Sequence, residues 1–333
     1  MKIERSEYGR LHPQMEKEWA AHEERIQMLR SRVKNPAAGY FGPSSMFWRV
    51  SQESILLAMG MRPLLLQIAH PHVAQGVADH SKYREEPLSR GYRTFDAVYK
   101  ITFGNVDQAS DVARKVYKIH GYVRGTLDEP VAGYSPGYVG NEPNSLLWVH
   151  ATLVDGALKA YESMVRPLTQ GEREAFYEDS KVFGYLFGVT EEVMPQTLQE
   201  FEVWFGRMLS SEALHVTAAG RDVGRSLMFG APPMLKLPVR IYNAIGAAVL
   251  PDKIRSAFGM RWNLAEKLLG ETAIRAFGTL VPQLPDAIRL TPFTREALRR
   301  LGTPIGSEAL DRRLLRELEK LALGVRIQPK PAH

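Results

Sequence analysis

The sequence predicts an all-α protein, and three observations support this class. Apolar residues recur with helical spacing along nearly all of the 333 residues. No pair of segments shows the alternation of apolar and polar residues that is typical of paired strands. Proline and glycine stand where the helical pattern is interrupted, as expected at helix ends.

The order of the helices follows from this pattern and from the residues at their ends. Asn105 and Gln108 have the spacing of a capping box, and Pro143 suits a first helical turn because its missing N–H is not needed there. Five glycines and prolines in 126–142 predict a loop. The expected helices are 15–34, 46–60, 64–80 with a break at Pro71, 106–125, 144–165, 171–188 and 195–220, with further helices in 240–333.

The chain divides into three regions on the basis of composition. Residues 46–225 form the expected core, preceded by an N-terminal helical extension at 1–45. Near 225 the sequence becomes apolar and rich in proline, and a basic helical extension follows at 226–333. We expect the chemistry to lie in the core region.

The absence of cysteine limits the chemistry. It excludes disulfides, thiolate metal sites and cysteine nucleophiles, so any metal ion must be held by histidine, a carboxylate or a carbonyl oxygen. Motifs of phosphate-binding loops, serine hydrolases and zinc proteases do not occur either. The charged N-terminus and the lack of a long apolar run favour a cytoplasmic protein.

The net charge of +6 comes from one block, because 221–300 alone carries +7. No nucleic-acid module accompanies this charge, so a nucleic-acid partner is not expected. Within 227–251, the apolar stretch Leu235–Leu250 is too short to span a bilayer. Basic groups beside an apolar face are typical of segments that bind anionic lipid surfaces. The alternative is an ordinary helix packed on the core.

Several histidines are candidates for a buried or metal-binding role. A di-iron site needs two Glu-x-x-His motifs, and only Glu212 to His215 forms one. For His70, His72 and His80 we expect core or hydrogen-bonding roles. His150 lies in a helix that is apolar nearly all round and is expected to be neutral and bonded to a carbonyl or carboxylate; a role in the active site is the alternative.

His120 has more specific surroundings. It lies at the edge of the apolar face of the helix predicted at 106–125, with Ala113 and Ala109 on its own side. Small side chains there leave room for a flat ligand, and Arg124, one helical turn further on, can pair with an acidic group of such a ligand. A satisfied core histidine remains the alternative.

Arg90, Arg93 and Thr94 share one face if their segment is helical. Two guanidinium groups side by side repel each other unless an anion or a polar ligand lies between them. The alternative is a solvated face on which Arg90 pairs with Glu86.

These motifs, in this order, resemble the superfamily of the latex-clearing rubber oxygenases and the MpaB-type oxygenase of the endoplasmic reticulum. The resemblance covers most of 46–265. It is carried by the segments Leu64–Ser81, Arg90-x-x-Arg93-Thr94, Val116-x-x-x-His120-x-x-Val-Arg124-Gly125 and Leu146–Leu153, and more weakly by Leu250-Pro251 and Arg255–Trp262.

The resemblance implies a globin-like helical core that binds one haem b. His120 then falls on the proximal iron ligand, and Arg90 and Thr94 fall on the distal arginine and threonine. Arg93 takes the place of a lysine that can ligate the iron in rubber oxygenases. A guanidinium stays protonated and has no lone pair for a metal, so the sixth iron position is expected to be open or to hold water. His80 or His150 as a second axial ligand is the competing possibility.

The function expected from the resemblance is a haem-dependent oxygenase that acts with dioxygen on a small apolar molecule. Rubber is not carried over as the substrate, because the rubber enzymes are secreted and no signal peptide is expected here. A peroxidase-like haem enzyme, a haem carrier or sensor, and a helical interaction protein without cofactor remain alternatives.

Overall fold

The computed structural model describes residues 13–230 and 236–324, and this part of the chain is almost wholly helical, which confirms the all-α class. Its elements are α1 (Pro13–Ser31), α2 (Met46–Ser51), a 3₁₀ helix (Ser54–Met59), α3 (Met61–Ile68), α4 (Pro71–His80), α5 (Pro87–Phe103), α6 (Val106–Gly121), β1 (Arg124–Thr126), β2 (Gly137–Val139), α7 (Pro143–Met164), α8 (Gln170–Phe187), α9 (Leu198–Ser210), α10 (Ala218–Phe229), α11 (Lys236–Val249), α12 (Asp252–Ala257), α13 (Leu264–Leu280), a further 3₁₀ helix (Val281–Gln283), α14 (Asp286–Arg289), α15 (Pro292–Arg300) and α16 (Glu308–Gly324). Leu235, where the apolar stretch of the basic region begins, lies outside the described residues.

The predicted helix starts at Asn105 and Pro143 are confirmed. The Asn105 side chain accepts a hydrogen bond from the Gln108 amide at 2.9 Å, and the Gln108 side chain accepts one from the Asn105 amide at 3.1 Å. Pro143 occupies the first turn of α7, whose free amides are capped by the Glu142 carboxylate. The break at Pro71 is also confirmed, since His70 before it has an extended backbone.

Several expected helices are shorter than predicted or are divided, as 46–60 is between α2 and the first 3₁₀ helix. The helix predicted at 106–125 ends at Gly121, because the chain turns there and the Val123 amide donates to the His120 carbonyl at 3.0 Å. The helix predicted at 195–220 is two helices, α9 and α10, separated by residues 211–217. Thr217 begins the second one by accepting a hydrogen bond from the Gly220 amide at 3.1 Å.

A short antiparallel hairpin corrects the expectation of a sequence without paired strands. Strand β1 pairs with β2, with Arg124 opposite Val139 and Gly125 opposite Tyr138. Three-residue strands are too short to show an alternating pattern, which explains why 126–142 reads as a loop. Gly125 is needed here because a Cβ at this position would lie 2.7 Å from the Tyr138 hydroxyl.

Helix α7 lies at the centre of the described structure. It packs against α3, α8, α13 and the first 3₁₀ helix, and Trp148 on it is fully buried and donates to the Leu66 carbonyl at 2.9 Å. Helix α5 packs on α6, α1 packs on α6 and α8, and α15 and α16 pack on α5. One hydrophobic cluster contains Ile26, Trp148 and Leu298, so all three predicted regions contribute to a continuous core.

The basic region is anchored in the same structure. Helix α11 packs mainly against α13, and it buries Ala244, Ile245 and Ala247, while Leu237 in its first turn is exposed. None of the helices in 13–230 and 236–324 is long and apolar enough to cross a membrane. The division into three regions and the globin-like arrangement of the core stay predictions.

Candidate functional site

A cavity of about 990 Å³ lies among the first 3₁₀ helix and helices α3 to α8. Its volume is at the upper end of the roughly 300–1,000 Å³ that is typical of ligand sites. Its wall is mainly apolar, and polar side chains are concentrated in a few places on it. The apolar residues include Leu56, Leu64, Val116, Val149, Leu153, Phe183 and Phe187.

His120 lies on the wall of this cavity, in the last turn of α6. Its Nδ1 atom is buried and has no hydrogen-bond partner among the described residues. The ring packs edge-on against Phe187, with the two ring centroids 5.4 Å apart. Burial lowers the pKa of His120 from 6.5 to about 4. The imidazole is therefore neutral near pH 7, in the form that can bind a metal ion.

The backbone around His120 is fixed by close contact with Gly140. The Gly140 amide donates to the Val123 carbonyl at 2.7 Å, which ties the loop after β2 to the end of α6. A Cβ at residue 140 would lie 2.6 Å from the His120 carbonyl oxygen and 2.9 Å from the Val123 Cβ. Only glycine permits this approach without a shift of the backbone that carries His120.

Helix α5 brings Arg93 and Thr94 to the same cavity as His120. The Arg93 guanidinium donates to Glu86 Oε2 at 3.0 Å and to the Ser89 hydroxyl at 3.2 Å. Arg90 lies on the same helix, three residues before Arg93, so the shared helical face predicted for these residues exists. The side chain of Arg90 lies outside what the structure describes. The pairing of Arg90 with Glu86 is thus not tested, and Glu86 binds Arg93.

Arg124 and Ala113 do not line the cavity. Arg124 is exposed at the start of β1, beyond the end of α6, and its guanidinium donates to the Gly121 carbonyl at 2.8 Å. The helical spacing that was expected to place it beside His120 is therefore absent. Ala113 is fully enclosed in the core, as is Ala109. The assignment of Arg124 and Ala113 to cofactor binding stays a prediction from the sequence.

His150 is a second histidine on the cavity wall, and it is only 1% exposed. Burial lowers its pKa from 6.5 to about 3, which agrees with the expected neutral ring. The expected carbonyl or carboxylate partner is not there, because both ring nitrogens are buried without a hydrogen-bond partner among the described residues. Sequence periodicity predicts the burial of this residue, but it cannot show that the ring faces a cavity.

His70, His72 and His80 have the expected core or hydrogen-bonding surroundings, and His72 and His80 also line the cavity. His72 Nε2 lies 2.9 Å from the Ser135 carbonyl oxygen, and His80 Nε2 lies 3.0 Å from that of Arg124. His70 is buried and packs edge-on against Tyr134, with the ring centroids 5.0 Å apart. Within 13–230 and 236–324, no group of three or more histidine and carboxylate side chains is placed to hold a metal ion.

The Glu-x-x-His motif does not lie on a helix. Glu212 and His215 are both exposed in the segment between α9 and α10. The Glu212 carboxylate forms an ion pair with Lys253 at 2.9 Å. A surface position, the alternative to a di-iron ligand, is the role that the structure shows.

Asp79 and Tyr138 form a polar patch on the cavity wall that the sequence pattern does not indicate. The Tyr138 hydroxyl donates to Asp79 Oδ2 at 2.5 Å, and Gln75 donates to Asp79 Oδ1 at 3.0 Å. Burial, together with the Asp79 carboxylate, raises the pKa of Tyr138. Residue 138 lies in the missed hairpin, so its approach to α4 follows only from the tertiary structure.

Comparison with known proteins identifies a family. Residues 48–283 match the family described as ER-bound oxygenase mpaB/B'/Rubber oxygenase, catalytic domain. This range is well over half of the chain, and it contains every described residue on the cavity wall except Phe47. The chain has no significant match among curated proteins or among solved structures.

Proposed function

The chain belongs to the family of ER-bound oxygenase mpaB/B'/Rubber oxygenase catalytic domains, and we propose that it is a haem b-dependent oxygenase that oxidises a small apolar molecule with dioxygen. The observation that carries the proposal is the neutral His120 imidazole, with its unpartnered Nδ1, on the wall of a cavity of about 990 Å³. The family supports an oxygenase reaction, whereas the haem and the substrate class rest on the cavity and on the resemblance of the motifs.

The residues of the cavity fit a haem group. A large, flat and mainly apolar molecule suits a wall formed by Val116, Val149 and Phe187, and the His120 imidazole is neutral and can serve as the ligand of the iron. When bound, haem supplies an iron centre that reacts with dioxygen, a chemistry that amino-acid side chains do not provide. The apolar wall would accommodate an apolar substrate.

Helix α5 supplies the polar groups of the proposed reaction. The Arg93 guanidinium is oriented by Glu86 and Ser89, so it would stabilise negative charge that develops on oxygen. The Thr94 hydroxyl can both donate and accept a hydrogen bond and would hold or pass on a proton. Arg90, on the same face of the helix, would add a second positive charge. In this arrangement Arg93 would donate hydrogen bonds and would not serve as a ligand of the iron.

Isotopically labelled dioxygen tests the reaction type. The haem-supplied protein is incubated with a panel of small apolar molecules, a reductant and labelled dioxygen, and the products are analysed by mass spectrometry. We expect label in an organic product, and at least tenfold less of it with Arg93→Ala. Turnover with peroxide that leaves no label would indicate a peroxidase, and a haem-loaded protein without any turnover would indicate a carrier or sensor.

A further inference from the structure

His150 is a buried polar side chain that the proposed chemistry does not use. It lies on α7, it is 1% exposed, and both ring nitrogens are buried without a partner among the described residues. A buried polar group without a hydrogen bond destabilises the folded protein, and buried groups of this kind nearly always have a partner. A polar group of a molecule in the cavity that reaches this ring would supply the missing hydrogen bond.

The His150 ring is held against the cavity wall. It stacks on Phe183, with the centroids 6.2 Å apart and an angle of 17° between the planes. On α8 beside it, a Cβ at Gly184 would lie 3.1 Å from His150 Nε2. Phe187, which contacts His120, lies one helical turn after Phe183. The two histidines therefore adjoin the same aromatic strip of α8.

We propose that His150 is a binding residue that hydrogen-bonds a neutral hydroxyl or carbonyl group on the organic molecule in the cavity. A neutral imidazole offers one donor and one acceptor, which matches a hydroxyl group and also allows donation to a carbonyl. This inference rests on the proposed function only in taking the cavity as the site of an organic substrate. It adds that the substrate is an apolar molecule with one neutral oxygen-containing group.

The surroundings of His150 disfavour a charged group on that molecule. Leu146, Val149 and Phe183, which line the cavity near it, are apolar, so a carboxylate there would lose its hydration without gaining an opposite charge. Burial keeps the imidazole uncharged near pH 7, because it lowers the pKa of His150 to about 3. The part of the wall around His150 thus favours a neutral oxygen group over a carboxylate at this position.

His22 offers a matched control. It is also 1% exposed, both of its ring nitrogens are also buried without a partner, and its ring stacks on Tyr117 with the centroids 3.9 Å apart. It differs from His150 because it does not line the cavity. Both His22→Phe and His150→Phe remove a buried imidazole without a hydrogen-bond partner. Only His150→Phe also removes a contact with the cavity.

The test compares the binding of decanol and decanoate to the full-length protein by calorimetry, without dioxygen or turnover. The wild type should bind decanol at least tenfold more tightly than decanoate. His150→Phe should weaken decanol binding about tenfold, His150→Gln should retain it within about threefold, and His22→Phe should leave it unchanged. Circular dichroism identifies a variant that fails to fold, and in that case His150→Leu, which also removes both ring nitrogens, takes the place of His150→Phe.

Three results would overturn the inference: unchanged decanol affinity in His150→Phe, preference of the wild type for decanoate, and absence of decanol binding to the wild type. The visible spectrum of the same samples reports haem separately. A protein that binds decanol through His150 but takes up no haem would refute the proposed function and leave this inference standing.

Discussion

Asp311 is expected to hold the two C-terminal helices against the wall of the site. It is 2% exposed on α16, and it accepts hydrogen bonds from Arg295 Nε at 2.9 Å and from Arg299 Nη1 at 2.6 Å. Arg295 is itself 5% exposed. Helices α15 and α16 pack on α5, which carries Arg93 and Thr94 to the cavity. The ion pairs therefore lie one helix away from the proposed chemistry.

The substitution Asp311→Ala leaves a buried guanidinium without its counter-charge. Breaking a buried ion pair in this way costs about 3–5 kcal/mol, which is a large part of the roughly 5–15 kcal/mol that stabilises a folded protein. Urea unfolding, followed by circular dichroism, measures this loss. Asp107→Ala is the control, because Asp107 is 72% exposed in its pair with Arg30 and should lose at most about 1 kcal/mol.

The pH dependence gives a second readout of Asp311. Hydrogen bonds from Arg295 and Arg299 outweigh the effect of burial and hold the pKa of the Asp311 carboxyl below its usual value. Its stabilising contribution is therefore present above the unfolded-state pKa of about 3.9 and is lost as the pH falls through the folded-state value. The difference between wild type and Asp311→Ala should shrink in acid. Equal losses in Asp311→Ala and Asp107→Ala at neutral pH would refute the reasoning.

Three further predictions concern the pH dependence of stability, the support of His120 and the basic region. Burial raises the pKa of Glu53 from 4.5 to about 7, so ionisation of this carboxyl should destabilise the wild type by up to about 3 kcal/mol as the pH rises from about 5 to 8. Urea unfolding should show this loss of stability in the wild type but not in Glu53→Gln. Equal pH profiles of the two proteins would contradict the prediction. Gly140→Ala should speed haem dissociation at least tenfold, because the added Cβ meets the His120 carbonyl. Gly137→Ala should not, because the nearest atom to a Cβ there is 3.8 Å away. Equal dissociation rates in the two variants would contradict this argument. The basic segment 221–300 should give salt-sensitive pelleting with anionic vesicles, and its absence would leave α11 only the packing role on α13.

Local features of the sequence predict the local features of the fold. The capping box at Asn105, the start of α7 at Pro143 and the break at Pro71 depend on neighbouring residues alone, and all three are present. The early end of α6 at Gly121 is accompanied instead by the hairpin, and the residue after β2, Gly140, contacts the helix end. Long-range contacts of this kind leave no periodic signal in the sequence.

The same distinction applies to the candidate site. His120 and the pair Arg93 and Thr94 are candidates from motif spacing and from the family resemblance, and the structure brings them to one cavity. Arg124 does not reach the cavity, because its expected position beside His120 required a helix that continues past Gly121. The missing partners of His150 could not be predicted, because they depend on how α7 and α8 enclose a cavity that only the tertiary structure creates.

The visible spectrum of the protein expressed with added haem tests the central claim most directly. The wild type should show a Soret band with about one haem per chain, and resting high-spin iron in electron paramagnetic resonance, because Arg93 cannot ligate the metal. His120→Ala should lose or strongly shift this band, and His215→Ala, at an exposed position outside the cavity, should keep it. A wild type without a Soret band, or an unchanged spectrum in His120→Ala, would contradict the account.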